Sequence, residues 1–147
     1  FLLGGKSTHA LSAHDGKPEV RAQLEAALAE PSIYDETLRL LARRGLLSSD
    51  VWSQRDWSQP HTPSADVEEA WLAVYRDPDK WWDLYELAEK LVDLEFRFQQ
   101  WRFAHMKTVQ RIIGGKSGTG GSSGVAYLGR ALERSFFPEL LDMRSSL

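Results

Sequence analysis

Between Pro78 and Gly114 the chain contains no glycine or proline, and nothing constrains its fold more strongly. A helix over residues 78–113 would run on the order of 50 Å at ~1.5 Å per residue. Asp77 and Pro78 supply a start signal, an acidic N-cap followed by proline at the first helical position. Leu84, Leu91, Phe98, His105 and Ile112 recur at heptad spacing, and Leu87, Leu94, Trp101 and Thr108 fill the alternate seam. A second apolar row runs through Trp81, Tyr85, Ala88, Val92, Phe96, Phe103, Met106 and Ile113. One narrow strip stays polar: Asp83, Glu86, Lys90, Asp93, Arg97, Gln100, Lys107 and Arg111, with Glu86–Lys90 and Asp93–Arg97 at i,i+4 spacing. A helix apolar over most of its circumference must be covered on several sides. The expectation is therefore an all-α fold, a helical bundle built round one very long central helix that also touches neighbouring subunits.

Shorter helical patterns precede it. Residues 18–30 place Val20, Leu24, Ala27 and Leu28 on one face. Ser32 with Asp35 has the spacing of a capping box and opens a helix through Ile33, Leu38 and Leu41, stopped at Gly45. Residues 48–64 are polar and carry Pro60 and Pro63, which predicts a loop anchored by Trp52 and Trp57. Residues 66–76 read as a helix presenting Val67, Ala70, Trp71, Val74 and Tyr75.

Composition closes off several classes of function. With 147 residues the chain is one domain or part of one. A net charge of -3 and the lack of a basic stripe give no reason to expect nucleic acid. No apolar run approaches the ~18 residues that a membrane span needs. There is no signal-peptide pattern, although the chain opens on Phe1 rather than a methionine. Without cysteine there are no disulfides, iron–sulfur clusters or thiolate-held metals, which fits a cytosolic protein.

Any metal must then be held by histidine, carboxylate, tyrosine or methionine. His105 sits on the apolar seam with Trp101, Arg102, Thr108, Val109 and Ile112 within two turns. One reading makes it a core histidine bonded to a backbone carbonyl; another makes it an axial ligand of heme, since a neutral imidazole on an apolar wall suits a porphyrin. No second histidine lies at i+3 or i+4, which argues against a helix-borne zinc or di-iron site. His9, His14 and His61 lie in polar stretches and read as exposed loop histidines. After His105 comes a segment of almost pure Gly, Ser and Thr, from Gly118 to Gly124. Gly115-Lys116-Ser117 lacks the preceding glycine and strand of a phosphate loop. What remains is either a plain linker or a loop whose N–H groups and Thr119, Ser122 and Ser123 hydroxyls bind a polar ligand. A further helix would begin near Ser123, with Val125, Leu128 and Leu132 inward.

Two motifs at fixed separation, WRFAHMKTVQRIIG over residues 101–114 and GTGGSSGVAYL over residues 118–128, resemble the signature of the tryptophan 2,3-dioxygenase family. The similarity extends to Phe136-Phe137-Pro138-Glu139-Leu140 and Arg144, a bacterial-type ending, and to Phe1-Leu2-Leu3-Gly4. It covers the whole chain, weakly over residues 6–81 and strongly from Leu91. The resemblance implies an all-helical cytoplasmic homotetramer that carries heme b and opens the indole ring of L-tryptophan with O2, giving N-formylkynurenine. It makes His105 the axial ligand of the heme iron and places Thr119 on the substrate ammonium, with Gly118, Gly120 and Gly121 letting the loop close. Gly115 and Ser117 depart from the bulkier residues common in bacterial members.

The family's distal histidine and its carboxylate-binding arginine lie upstream of the stretch matching Phe1-Leu2-Leu3-Gly4. Residues 1–147 are therefore expected to be the C-terminal part of a single heme dioxygenase domain whose N-terminal half is a needed partner, and no catalytic residue is assignable within them. Two alternatives stay open: a relative that oxygenates another indole, and a helical oligomerisation module without heme.

Overall fold

The computed structural model describes residues 2–6, 11, 16–114 and 124–147, and for residues 124–127 the backbone alone. Among the described residues the helices are α1 (Pro18–Ala29), α2 (Ile33–Arg43), α3 (Ser49–Ser53), α4 (Ala65–Arg76), α5 (Trp82–Ile113), α6 (Gly124–Leu132) and α7 (Pro138–Asp142). A 3-10 turn, Met143–Ser146, follows α7. No strand is present among the described residues, so the all-α expectation holds.

Local chemistry explains most boundaries. Pro18 opens α1, where its missing N–H would have had no helical partner. At α2 the capping box forms as the spacing predicts: Ser32 Oγ accepts from the Asp35 amide at 3.2 Å, and Asp35 Oδ2 accepts from the Ser32 amide at 2.8 Å. Gly45, at φ 74°, ends the element in a left-handed turn that a side chain would strain. The 48–64 stretch is not wholly a loop: Ser48 caps α3, five residues long, before the prolines take over. Trp52 and Trp57 are both partly buried there, as anchors should be.

The long helix begins at Trp82, four residues later than Asp77-Pro78 suggested. Asp77 instead ends α4, and its carboxylate accepts from the Lys80 amide in a turn that precedes α5. At 32 residues α5 is still the longest helix described. In this chain by itself it is buried at Leu84, Ala88, Leu91 and Val92 and exposed at Phe96, Trp101, Phe103 and Ile112. No described helix is long and apolar enough to cross a membrane.

The chain divides into two compact units. The first comprises residues 1–88 and 136–147 and holds the main core. In α4, Val67, Ala70, Trp71 and Val74 follow helical spacing and are all buried; the helix packs against α7 and the 3-10 turn. Leu38 and Leu41 of α2, Leu84 and Ala88 of α5, and Phe136, Phe137, Leu140 and Met143 complete the core. Leu41 and Val74 have no accessible surface, so truncating Leu41 to alanine should cost roughly 2–5 kcal/mol. The segment 2–6 threads through this unit: the Ile33 amide donates to Leu2 O at 2.7 Å, and a Cβ on Gly5 would stand 2.9 Å from the Phe136 ring. The second unit, residues 89–135, contains the outer part of α5 and all of α6.

Candidate functional site

His105 lies on the outer part of α5, and the structure exposes it rather than burying it. Its ring stacks on Trp101, one turn back, with centroids 5.4 Å apart and planes 4° from parallel. Trp101 is itself 57% exposed and Ile112, two turns beyond His105 on the same face, is 74% exposed. On the opposite face Phe96 and Phe103 are about half exposed as well. The heptad seam is thus buried at Leu84 and Leu91, half-buried at Phe98, and open at His105 and Ile112. A core histidine bonded to a carbonyl does not describe this residue. Among the described residues no group of three or more His, Cys, Asp or Glu could hold a bare metal ion. A single exposed imidazole stacked on Trp101, on a largely apolar face, fits a different donor set, an iron whose remaining ligands come from a porphyrin. The residues present therefore fit a heme. Thr119, Gly118 and Gly120, with Gly121, lie outside the described residues.

A second set of polar groups borders this face. Glu95 is buried on α5; its carboxylate accepts from Ser135 Oγ at 3.1 Å and from the Gln99 side-chain amide at 3.2 Å. Two turns on, Arg102 Nη1 donates to the backbone oxygens of Ala131 (2.9 Å) and Arg134 (3.0 Å). Its guanidinium also lies over the Phe98 ring, 4.8 Å from the centroid. Arg102 entered the sequence reading only as a neighbour of His105, and Glu95 not at all. Their signal was present, for both are charged residues that fall off the polar strip of the helix.

The first unit holds a separate buried polar cluster. The Tyr34 hydroxyl donates to Glu139 Oε1 at 2.6 Å, and the Ser64 amide donates to the same oxygen at 3.2 Å. Burial pushes the Glu139 carboxyl up from its ordinary value, against the hydrogen bond from Tyr34. Arg55 pairs with Asp35 and donates to Gln59 O. Burial alone would raise the Asp35 carboxyl, but hydrogen bonds from Ser32 and Arg55 outweigh it and hold it below the usual range. His61, expected as an exposed loop histidine, is packed against this cluster. Its ring stacks on Tyr34 at 3.9 Å, and its buried Nδ1 has no hydrogen-bond partner. Burial, reinforced by the nearby Arg55 charge, depresses its pKa to about 4. Gly4 makes room for it, since a Cβ there would stand 3.3 Å from Nδ1. Lys6 is buried too and donates to Leu28 O at 2.8 Å and to Glu30 O, carbonyls at the end of α1. A cation there meets the negative end of the helix dipole. The Tyr34–Glu139, Arg55–Asp35 and Lys6–Leu28 contacts do not follow from local pattern, because their partners are far apart in sequence. His9 and His14 lie outside the described residues.

The family model described as tryptophan 2,3-dioxygenase matches residues 5–147. The chain belongs to the tryptophan 2,3-dioxygenase family. A tryptophan 2,3-dioxygenase of Polaromonas sp. is 53% identical over 147 residues, all of this chain and 50% of its own length. That of Geobacillus thermodenitrificans is 54% identical, again over the whole chain and 52% of its own. A Bradyrhizobium sp. member is 54% identical over 53% of its length. The chain therefore spans about half the length of these curated relatives. Membership accounts for the strong resemblance of the 101–128 region, and it also covers the segment before Leu91, where the motif signal is weak.

Proposed function

We propose that the chain works in a heme-dependent dioxygenase that opens the indole ring of L-tryptophan with O2 to give N-formylkynurenine. The observation that carries this reading is the identity of 51–54% to tryptophan 2,3-dioxygenases along all 147 residues. The exposed, Trp101-stacked imidazole of His105 supports it.

In this reading His105 would hold the iron of heme b through its imidazole, and Trp101 and Ile112 would form part of the apolar wall that keeps water from the cofactor. When bound, heme b supplies the redox centre for the O2 chemistry. Thr119 accepts a hydrogen bond from the substrate ammonium, and Gly118 and Gly120 leave the backbone free to approach it closely. A charged donor makes such a bond stronger than a neutral one and fixes which end of tryptophan points at the loop. The N-terminal half of the same enzyme would contribute the groups that grip the substrate carboxylate. The assembly is a cytoplasmic homotetramer, and residues 1–147 form the C-terminal part of one helical domain.

The test is an absorption spectrum of the purified protein supplied with heme, followed by product analysis with L-tryptophan and O2. A Soret band near one heme per chain and formation of N-formylkynurenine are expected. No Soret band would leave a heme-free oligomerisation module, and faster turnover of another indole would point to a relative with a different substrate.

A further inference from the structure

Three rings form a short column along one face of α5. Phe98, Trp101 and His105 follow one another at spacings of three and four residues, so each lies one helical turn from the next. The Phe98 and Trp101 centroids are 5.3 Å apart with planes tilted by 32°. Those of Trp101 and His105 are 5.4 Å apart with planes only 4° from parallel, the offset stack that aromatic quadrupoles favour. One end of the column is anchored. Phe98 is half-buried beneath the Arg102 guanidinium, which lies 4.8 Å from its centroid and donates to Ala131 O and Arg134 O. At the other end His105 is exposed, and the Trp101 indole is the ring surface it rests on.

An exposed histidine on a helix has more than one staggered χ1 well open to it and a broad choice of χ2. Committing such a ring to one ligand geometry costs side-chain entropy. Stacking on an indole selects one orientation beforehand. It occupies a face of the imidazole and leaves the ring edge, where both nitrogens lie, uncovered. Preorganisation of this kind strengthens binding by reducing the freedom lost on association. We propose that Trp101 is a positioning residue for His105: its indole, steadied by Phe98, sets the plane of the imidazole that would hold the heme iron. This rests on the dioxygenase reading and goes beyond it. A side chain that serves only as apolar cover need only be greasy, whereas one that sets the plane of a ring must itself be flat.

The experiment compares the complete heme-loaded enzyme with its Trp101→Phe, Trp101→Leu and His105→Ala variants. Two quantities are read: the iron–imidazole stretching band of the ferrous protein by resonance Raman, and the rate at which heme passes to an excess of a heme-scavenging protein. In Trp101→Leu the band should shift and broaden as the imidazole takes several orientations, and heme should leave about tenfold faster. Far-UV circular dichroism should not change, since leucine is a good helix former. Trp101→Phe keeps a flat ring, so its band should match wild type and its release rate should stay within about twofold. Trp101→Met, a second flexible apolar side chain, replaces the leucine variant if that one folds poorly. Equal acceleration of heme release in the phenylalanine and leucine variants, with the band unmoved, would overturn the positioning role and leave Trp101 as apolar cover. A leucine variant identical to wild type in both measurements would overturn it outright. If His105→Ala keeps the wild-type band, another residue holds the iron and the reading of His105 fails together with the positioning role. Loss of the band in that variant, with unmoved bands at every Trp101 substitution, defeats the positioning role alone.

Discussion

His61 and His105 each stack on an aromatic ring, yet their surroundings are opposite. His61 lies on Tyr34 in the main core, with Nδ1 closed off from solvent and Arg55 and Asp35 beside it. His105 lies on Trp101 in the second unit and is exposed. The first is held neutral by burial, and its neighbours are already engaged with one another. The second has an open imidazole on an apolar face, the condition a ligand needs. An aromatic neighbour therefore does not by itself tell an enclosed histidine from an available one. What separates them is whether the ring nitrogens remain available.

The largest expected effect breaks the comparison at its functional end. His105→Ala should remove heme and reduce tryptophan turnover to background, while far-UV circular dichroism barely moves, because alanine is the best helix former. A variant that keeps the wild-type ferrous heme spectrum and full turnover would mean another residue holds the iron. His61→Phe should do neither, which is the sharpest contrast between the two rings.

At the structural end, Glu139→Ala leaves the Tyr34 hydroxyl and the Ser64 amide without their shared acceptor. Unsatisfied buried donors cost about 1–3 kcal/mol each, so urea unfolding should show a loss of about 2–6 kcal/mol. Glu139→Gln keeps an acceptor and should lose less. Equal losses in the two variants would show that the carboxylate site matters only through packing.

Next in size is Thr119→Ala. A hydrogen bond to a charged group contributes roughly 1.5–3 kcal/mol, so kcat/KM for L-tryptophan should fall about ten- to a hundredfold with heme content unchanged. Thr119→Ser should lose much less. If alanine, serine and threonine perform alike, the segment is a linker and does not contact substrate.

The smallest effect separates the histidines by pH. The folded-state pKa of His61 is about 4, below the ordinary value of 6.5, so between these limits the unfolded chain binds the extra proton. Stability should therefore fall as pH drops from 6.5 towards 4. Glu139 has the opposite sign, since a carboxyl pushed up by burial favours the folded state on the acid side. Comparing wild type with His61→Phe isolates the first contribution: the two should approach each other at neutral pH and diverge as the solution is acidified. Parallel curves would mean that the imidazole is hydrated in the fold.

Much of the helical content was legible because its signals are local. The Ser32–Asp35 capping box, Pro18 at the start of α1, Gly45 beyond α2 and the uninterrupted run to Ile113 all act within a few residues. Local signals failed where two fates competed for one residue. Asp77 can cap a new helix or close the preceding one, and α4 uses it for closure. Of the candidate site, the motif around His105 was readable, but the exposure of its ring was not. The same periodicity that buries Leu84 leaves Ile112 open, since periodicity defines a face without saying what covers it. Arg102 and Glu95 stood out only as charges in the wrong stripe, and their partners are 29 and 40 residues away.

By itself, then, the sequence determined the all-α class, most helix limits, the heptad face bearing His105 and membership of the tryptophan 2,3-dioxygenase family, because each is written in short-range order or in motif identity. Tertiary structure alone decided that His61 is enclosed and His105 is open, that Tyr34 meets Glu139, and that Arg102 binds the carbonyls of Ala131 and Arg134. Those outcomes depend on burial and on hydrogen bonds between residues distant in the chain, where the strength of a polar contact is set by how completely water is excluded.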